Sequence, residues 1–362
     1  MLSQSSPFVR DRFTWLAYLM LAYFAYLQTS LGPLMPFLRA ELDLNYTSAG
    51  LHFSAFALGM ILAGLTADRF VRRWGRRLVF WGGGAGMAVS ALCLGLSRLA
   101  ALTIASAFLM GWLGANLVVV IQATLSDRHC EQRAVALTES NLAASLSAGL
   151  VPLFIGGFQR LGVGWRGALV LAVLVLALIA ARFLGVEVPE ARRPSTRPGS
   201  IGQTLPVSFW AYWIVLFLVV SVEWCLVFWG ADFLENTVGL SKVSAVSVMS
   251  MFFLAMVMGR YTGSHLTRVM PSTSLLLIAL GISLVGFPIF WLAPLAPVNL
   301  AGLFIAGFGV ANLFPLTMAT AVGVASQQSD VASARVSLGA GLAIFIAPLV
   351  LGWTADRLTI RN

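Results

Sequence analysis

Long apolar stretches separated by short polar segments run through almost the whole chain. Eleven of these stretches are about 20 residues long and carry very few charges, which is the length that an α-helix needs to cross the hydrocarbon core of a bilayer. The pattern therefore predicts an all-α polytopic membrane protein. We place the spans near residues 13–35, 47–66, 78–97, 100–124, 134–158, 164–185, 207–230, 242–264, 272–293, 298–322 and 333–353.

A Pro- and Arg-rich segment divides the spans into two groups. It covers residues 187–206, and its composition is typical of a linker. We therefore expect an N-terminal six-helix bundle over residues 1–186 and a C-terminal bundle over residues 207–362, in which five helices are present.

Composition and charge agree with a membrane protein. Apolar residues make up 59% of the chain and charged residues 10%, with a mean hydropathy of +0.88, which excludes an ordinary soluble domain. The net charge of +9 does not indicate a nucleic-acid partner, because the basic residues lie in short loops between spans. With the N-terminus in the cytoplasm, loops on that side hold 16 of the 23 Lys and Arg, and this asymmetry predicts a cytoplasmic N-terminus. Lys242 is the only lysine, a bias typical of GC-rich bacteria, so we expect a multi-pass protein of the bacterial inner membrane.

Residue types that would carry other chemistry are scattered. The three Cys and three His lack metal-ligand spacing, so we predict neither a metal site nor a disulfide framework. The sequence also contains no nucleophile–base arrangement and no phosphate-binding loop. We therefore expect no cofactor and no enzymatic activity.

The two groups of spans repeat each other. The residues Gly111, Ala115, Asn116 and Leu117 recur 196 positions later as Gly307, Ala311, Asn312 and Leu313. The same offset pairs Pro152 with Pro348 and Gly156 with Gly352, in the same order along the chain. Several matched regions in one order indicate an internal duplication, and an even number of helices per unit gives parallel repeats.

One short loop between the second and third spans is dense in charge. It carries an Asp, five Arg and a closing Gly, and an ordinary positively charged cytoplasmic loop is one interpretation of it. The order of its residues resembles the loop motif Gly-x-x-x-Asp-Arg-x-Gly-Arg-Arg of the major facilitator superfamily of secondary transporters, although residues 71–74 are extra before the second Gly. The matching residues are Gly64, Asp68, Arg69, Gly75, Arg76 and Arg77.

The resemblance covers nearly the whole chain and implies a fold of two pseudosymmetric six-helix bundles. The eleventh span aligns with the fifth, so we expect the twelfth helix of that fold to be missing, through truncation or in an eleven-helix variant. Gly339 and Gly341 are then expected to receive the absent helix. The position that often carries Arg in the fourth helix of the family is Ala107 here, and the antiporter pattern is only approximated near Pro152, so antiport is not implied.

Polar residues inside the spans are the candidates for a substrate or proton site, because charges in a membrane are costly and need a role. Glu223, beside Trp224 in the seventh span, is the main candidate, either as a proton or cation site or as a structural acid. Asn116 and Asn312 are repeat-related and lie in spans that the resemblance places around a central cavity, although hydrogen bonding between helices explains them equally well. Tyr26 and Gln28 add polarity to the first span.

The resemblance also implies a cytoplasmic gate, because it packs the second span on the eleventh and the eighth on the fifth. The 196 offset aligns Glu139 with Arg335. We therefore expect Asp68 to face Arg335, and Arg268 (or Arg260) to approach Glu139.

These observations favour a secondary active transporter that moves a small solute by alternating access, driven by a solute gradient or by a proton gradient with protons as the coupling ion. Membrane lipid and the solute are the expected partners, and the chain is expected to be a monomer. A non-transporting receptor related to transporters is the alternative. Symport and antiport, and drug or metabolite export and nutrient uptake, stay open.

Overall fold

The computed structural model describes residues 8–190, 205–267, 269–325 and 329–358, and within these ranges the chain forms helices and short connections with no β-strand. A 3₁₀ turn, Cys130–Gln132, joins α3 to α4. The helices are α1 (Arg12–Leu42), α2 (Tyr46–Leu96), α3 (Ala100–His129), α4 (Arg133–Arg160), α5 (Arg166–Phe183), α6 (Val207–Asn236), α7 (Lys242–Leu266), α8 (Ser272–Leu292), α9 (Ala296–Val324) and α10 (Ser329–Leu358).

Helix α2 contains two of the predicted spans. Its 51 residues would be roughly 76 Å long if straight, far more than a bilayer needs. Gly75 has φ 77° and ψ 159°, a conformation that only glycine adopts readily, and it divides α2 into two arms. Gly59 of the first arm and Gly83 of the second both lie against the middle of α3, so the chain reverses at Gly75. Counting both arms gives eleven α-helical segments in the described ranges, in agreement with the eleven predicted spans.

Nine of the described helices are long and apolar enough to cross a membrane, with α2 counted once. In the remaining helix, α1, aromatic and polar residues together with Pro33 and Pro36 interrupt the apolar run, although the helix is continuous. Most of its residues are nevertheless buried, because α1 contacts helices of both groups. Its polarity therefore reflects a central position in the protein rather than exposure to water.

The internal duplication is visible in the helix starts. Helices α2, α3 and α4 begin 196 residues before α7, α9 and α10, and α1 begins 195 residues before α6. Gly111 lies against the Phe56 carbonyl, and Gly307, its repeat mate, lies against the Phe252 carbonyl in the same way. We call α1–α5 the first half and α6–α10 the second half.

Two helix pairs provide most of the contact between the halves. Helix α2 packs on α10 and α4 packs on α7, the two contacts that the resemblance implies. Gly339 and Gly341 of α10 already lie against other helices, because a Cβ on Gly339 would meet Trp213 of α6 and one on Gly341 would meet Ile61 of α2. The expectation that these glycines receive a further helix is therefore wrong, since helices already present fill both places.

Candidate functional site

A cavity of about 250 Å³ lies between the halves, near the middle of the helices. Four helices line it, α1 and α4 from the first half and α6 and α7 from the second. Its walls combine small, aromatic and polar side chains with one acid and one base. The lining residues are Ala25, Gln28, Thr29, Asn141, Ala144, Ser145, Ala148, Glu223, Trp224, Val227, Phe253, Met256 and Arg260.

Glu223 and Arg260 are the charged residues of this cavity. One guanidinium nitrogen of Arg260 lies 3.7 Å from a carboxylate oxygen of Glu223, too far for a direct hydrogen bond. The other terminal nitrogen of Arg260 donates to the Ser145 hydroxyl at 2.6 Å, across the boundary between the halves. The Glu223 side chain is only 12% exposed, whereas that of Arg260 is 42% exposed. A buried carboxylate with one distant partner has free capacity to bind a proton or a cationic group.

Two other predicted residues lie in the same cavity. Gln28 lines it from α1 and contacts the Met60 sulfur at 3.6 Å. Trp224 lines it from α6, and its ring packs on Phe228 with centroids 5.1 Å apart. The cavity therefore brings together Glu223, Trp224 and Gln28 from the predicted set.

The other three candidates are not among the residues that line this cavity. Tyr26 is buried in the first half, where its hydroxyl donates to the Ala168 carbonyl at 3.1 Å. The Asn312 amide donates to the Gly259 carbonyl at 2.7 Å, a hydrogen bond between α9 and α7. The Asn116 amide donates to the Trp112 carbonyl of its own helix, and its buried side-chain oxygen has no hydrogen-bond partner in the described part of the chain. For Asn312, the observed contact is the hydrogen bond between helices that was the alternative to a role in the cavity.

The halves are in close contact at the end away from Gly75, which we call the far end; the end that carries Gly75 is the motif end. Phe53 of α2 stacks on Phe228 of α6, with centroids 4.1 Å apart and an interplanar angle of 1°. Both side chains are fully buried, and the Trp229 indole donates to the Pro348 carbonyl beside them at 2.9 Å. This apolar layer closes the cavity toward the far end.

Polar contacts reinforce the closure. Arg39, in the last turn of α1, donates to Asp232 of α6, and the Asp232 side chain is 1% exposed. Asp356 of α10 accepts hydrogen bonds from the backbone nitrogens of Tyr46 and Thr47, at 2.8 and 2.7 Å. This carboxylate thereby satisfies donors at the N-terminus of α2, where the helix dipole also favours negative charge.

The loop that carries the motif, residues 64–77, which we call the motif loop, contacts the start of the linker. Glu190 accepts from the Arg76 backbone nitrogen at 3.1 Å, directly after the Gly75 turn. Arg76 also pairs with Asp127 at the end of α3, at 2.7 Å, and Arg77 donates to the Leu184 carbonyl at 2.8 Å. The observed role of these arginines is thus to tie the loop to α3 and to the segment after α5.

The N-terminus of α1 is also held at the motif end. The Asp11 carboxylate caps α1 by accepting from the Thr14 nitrogen at 2.8 Å, and it pairs with Arg128 of α3. Burial alone would raise the pKa of Asp11, but the hydrogen bonds from Thr14 and the charge of Arg128 outweigh it and lower the pKa.

The predicted gate residues have other partners in this arrangement. Asp68 pairs with Arg72 of its own helix, and Glu139 pairs with Arg10 and accepts from the Tyr18 hydroxyl. The Arg335 carbonyl accepts from the Trp213 indole at 2.8 Å. Arg268 lies outside the described residues. The predicted gate pairs belong to a form closed at the motif end, so they stay a prediction.

Gly64 and Arg69 complete the predicted motif. A Cβ on Gly64 would meet no atom of the described residues within 4 Å, so none of them packs closely on Gly64 in this form. Arg69 is exposed on the first arm of α2. Contact between the halves at this level would give both residues neighbours that they lack here.

Sequence reasoning missed part of the site. The sequence suggests Arg260 only for the gate, and it does not single out Asn141, Ser145 or Asp232. A basic residue four positions before the end of the apolar span 242–264 is the available signal for Arg260. Nothing local in the sequence marks Asp232 as the partner of Arg39. Within the described ranges, the acidic, His and Cys side chains form no group of three that would hold a metal ion.

Two repeated helical halves around one central cavity, closed at one end, define a multi-pass membrane transporter. The model of the Major Facilitator Superfamily matches residues 14–348, so the chain belongs to this superfamily. The recognition made from the loop motif and the repeats is therefore confirmed, together with the fold class.

Relatives and solved structures agree. The chain is 29% identical over 335 residues to the multidrug resistance protein MdtL of Escherichia coli O81 (strain ED1a), covering 86% of this chain and 82% of MdtL. It is 25% identical over 340 residues to an uncharacterized MFS-type transporter of Yersinia pestis, covering 90% and 84%. It resembles the crystal structure of a bacterial homolog to the human lysosomal transporter Spinster in an inward-facing and occupied conformation, with a TM-score of 0.71 and 18% identity, covering 97% and 83%.

Proposed function

We propose that this protein exports a small organic solute by alternating access, driven by the proton gradient. The observation that carries the proposal is the central cavity, which contains Glu223 and Arg260 and is closed toward the far end. The halves, residues 1–186 and 207–362, would rock around this cavity, and the linker 187–206 would let them move. The name of the relative MdtL supports export over uptake.

The charge distribution supports an orientation. Most of the basic residues lie at the motif end, which we infer to be cytoplasmic, together with the N-terminus. The described form is then closed toward the outside. Bacterial relatives support the inner membrane, and a cavity built within one chain supports a monomer as the working unit.

Glu223 is the proposed coupling site. When Glu223 is ionised, its charge attracts Arg260, and when it is protonated, Arg260 is released toward the solute. Such a change of charge inside the cavity would link proton binding to the position of the halves. Under this proposal Glu223 does not serve merely to join helices.

The substitution Glu223→Gln tests the coupling, because Gln keeps the size and hydrogen bonding of Glu but does not ionise. In proteoliposomes we expect the variant to retain solute exchange and to lose accumulation driven by a pH gradient. A loss of affinity for cationic solutes, while neutral solutes still bind, would indicate a cation site instead. Accumulation equal to that of the wild type at every pH would reject both roles.

Flux separates a transporter from a non-transporting receptor. A thermal-shift screen of small solutes on the purified protein would first find a ligand. Uptake of that ligand into proteoliposomes is expected for a transporter, whereas saturable binding without uptake would overturn the proposal in favour of the receptor.

A further inference from the structure

A second cavity adjoins the central one. It lies between α4 and α7, toward the motif end, and has a volume of about 460 Å³. Asn141, Ser145 and Arg260 line both cavities, so the two spaces meet at these three side chains. We call the second space the α4–α7 crevice.

The crevice differs from the central cavity in chemistry. Its wall is mainly apolar, with Leu142 from α4 and Val257 and Met258 from α7. Leu142 is 52% exposed and Met258 45% exposed, so neither side chain is covered by other helices and both offer apolar surface for contact with a guest. Arg260 is the one charged side chain among the described residues that line the crevice.

Arg260 stands at the junction with donors to spare. One terminal nitrogen binds Ser145, while the contact of the other with Glu223, at 3.7 Å, is longer than a hydrogen bond. A guanidinium offers five N–H donors in a planar fork that matches a carboxylate. Glu223 lines the central cavity but is not among the residues that line the crevice, so the charged side chain that borders both spaces is Arg260.

We propose that the α4–α7 crevice holds the apolar body of an amphiphilic organic anion, whose acidic group binds Arg260 at the junction of the two cavities. This proposal rests on the proposed function and names its substrate class. It assigns the polar group of the solute to the central cavity and the apolar group to the crevice. Protonation of Glu223 would leave Arg260 free to bind the acid.

Binding of two carboxylates of different length tests the proposal. Radiolabelled decanoate and butyrate are titrated against the full chain in nanodiscs of fixed lipid composition. Met258→Trp places a ring in the crevice, and Leu254→Trp is the matched control, because Leu254 is 56% exposed one turn earlier on α7 and is not among the residues lining either cavity. Arg260→Gln removes the anion-binding charge.

We expect Met258→Trp to weaken decanoate binding about tenfold, the loss expected when the ring displaces one or two methylene groups. Butyrate, which is too short to fill the crevice, should bind the same variant within about twofold of wild type, and Leu254→Trp should change neither ligand. Arg260→Gln should weaken both carboxylates about tenfold or more.

Four results would overturn the proposal. Equal losses in Met258→Trp and Leu254→Trp would show that the crevice does not hold the chain. Unchanged binding in Arg260→Gln, or tighter binding of decyltrimethylammonium than of decanoate, would reject the anion. Decanoate binding without flux would leave this site standing and remove the transport function, whereas flux of another solute without decanoate binding would remove only this site.

Discussion

Asp232→Asn should open the far end of the protein. Asp232 of α6 accepts from Arg39 of α1, and this ion pair connects the two halves beside the Phe53–Phe228 stack. The Arg39 guanidinium also lies over the Tyr46 ring, 3.5 Å from its centroid. The variant keeps the size of the side chain but removes the charge that balances Arg39.

The cost follows from burial. Breaking a buried ion pair by removing one partner costs about 3–5 kcal/mol, because the other charge stays buried. The Arg39 side chain is 17% exposed, and its Nε still donates a hydrogen bond to the Leu44 carbonyl at 3.3 Å. Because water and this carbonyl still solvate the charge, we reduce the cost to about 2–3 kcal/mol. Opening the far end hydrates Arg39, so the same free energy favours the open form by about 30- to 150-fold.

Spin-label distances measure this shift. Leu99 and Leu295 lie in far-end connections of the two halves and are 64% and 63% exposed, so cysteines there tolerate labels. The native Cys93, Cys130 and Cys225 are first replaced with Ser. We expect the Leu99–Leu295 distance distribution to move to longer values in Asp232→Asn.

Two comparisons decide whether the ion pair is the cause. Asp68→Asn is the control, because Asp68 is 73% exposed and pairs within its own helix, and it should leave the distances unchanged. Arg39→Gln combined with Asp232→Asn removes both charges, so it should recover the melting temperature lost in the single variant. Distances and melting temperature of Asp232→Asn equal to those of the wild type would refute the reasoning.

Two further predictions concern packing and the motif loop. Gly111→Ala should lower the melting temperature in detergent, by about 1–3 kcal/mol of unfolding free energy, because its Cβ would meet the Phe56 carbonyl. Gly82→Ala, where a Cβ would meet nothing within 4 Å, should not lower it. Glu190→Ala should cost about 1 kcal/mol of unfolding free energy through the lost hydrogen bond to the Arg76 nitrogen, and Glu187→Ala, an exposed acid outside this contact, should cost less. If a variant and its control lowered the melting temperature equally, the contact assigned to that variant would not be the cause.

The fold was predictable because its determinants are local or periodic. The eleven spans follow from the length and hydropathy of each stretch, and the duplication follows from a constant offset of 196 residues. The predicted use of small residues was less reliable. Gly339 and Gly341 do serve close helix approaches, but the sequence does not say which helix approaches them.

The site was harder to predict because its contacts join residues far apart in sequence. Arg39 and Asp232 are separated by 193 residues, and Arg260 and Ser145 by 115. Glu223 could be selected from the sequence because an ionised acid within an apolar span has a high free-energy cost whichever way it faces. The same reasoning selected Asn312, although its amide joins α9 to α7 and is not among the residues that line the central cavity.

The two halves share their packing but not their charges, and this difference bears on the proposed coupling. The offset of 195 between α1 and α6 aligns Gln28 with Glu223, and both residues line the central cavity. The offset of 196 between α2 and α7 aligns Gly64 with Arg260. The charged pair thus occupies positions that the first half fills with an amide and a glycine, so equivalent places carry ionisable groups only in the second half. A proton that binds in the cavity would then act on α6 and α7 rather than equally on both halves. We therefore expect Gln28→Glu to add a second titrating group to the pH profile of solute accumulation. An unchanged pH profile would show that position 28 is not equivalent to position 223 in function.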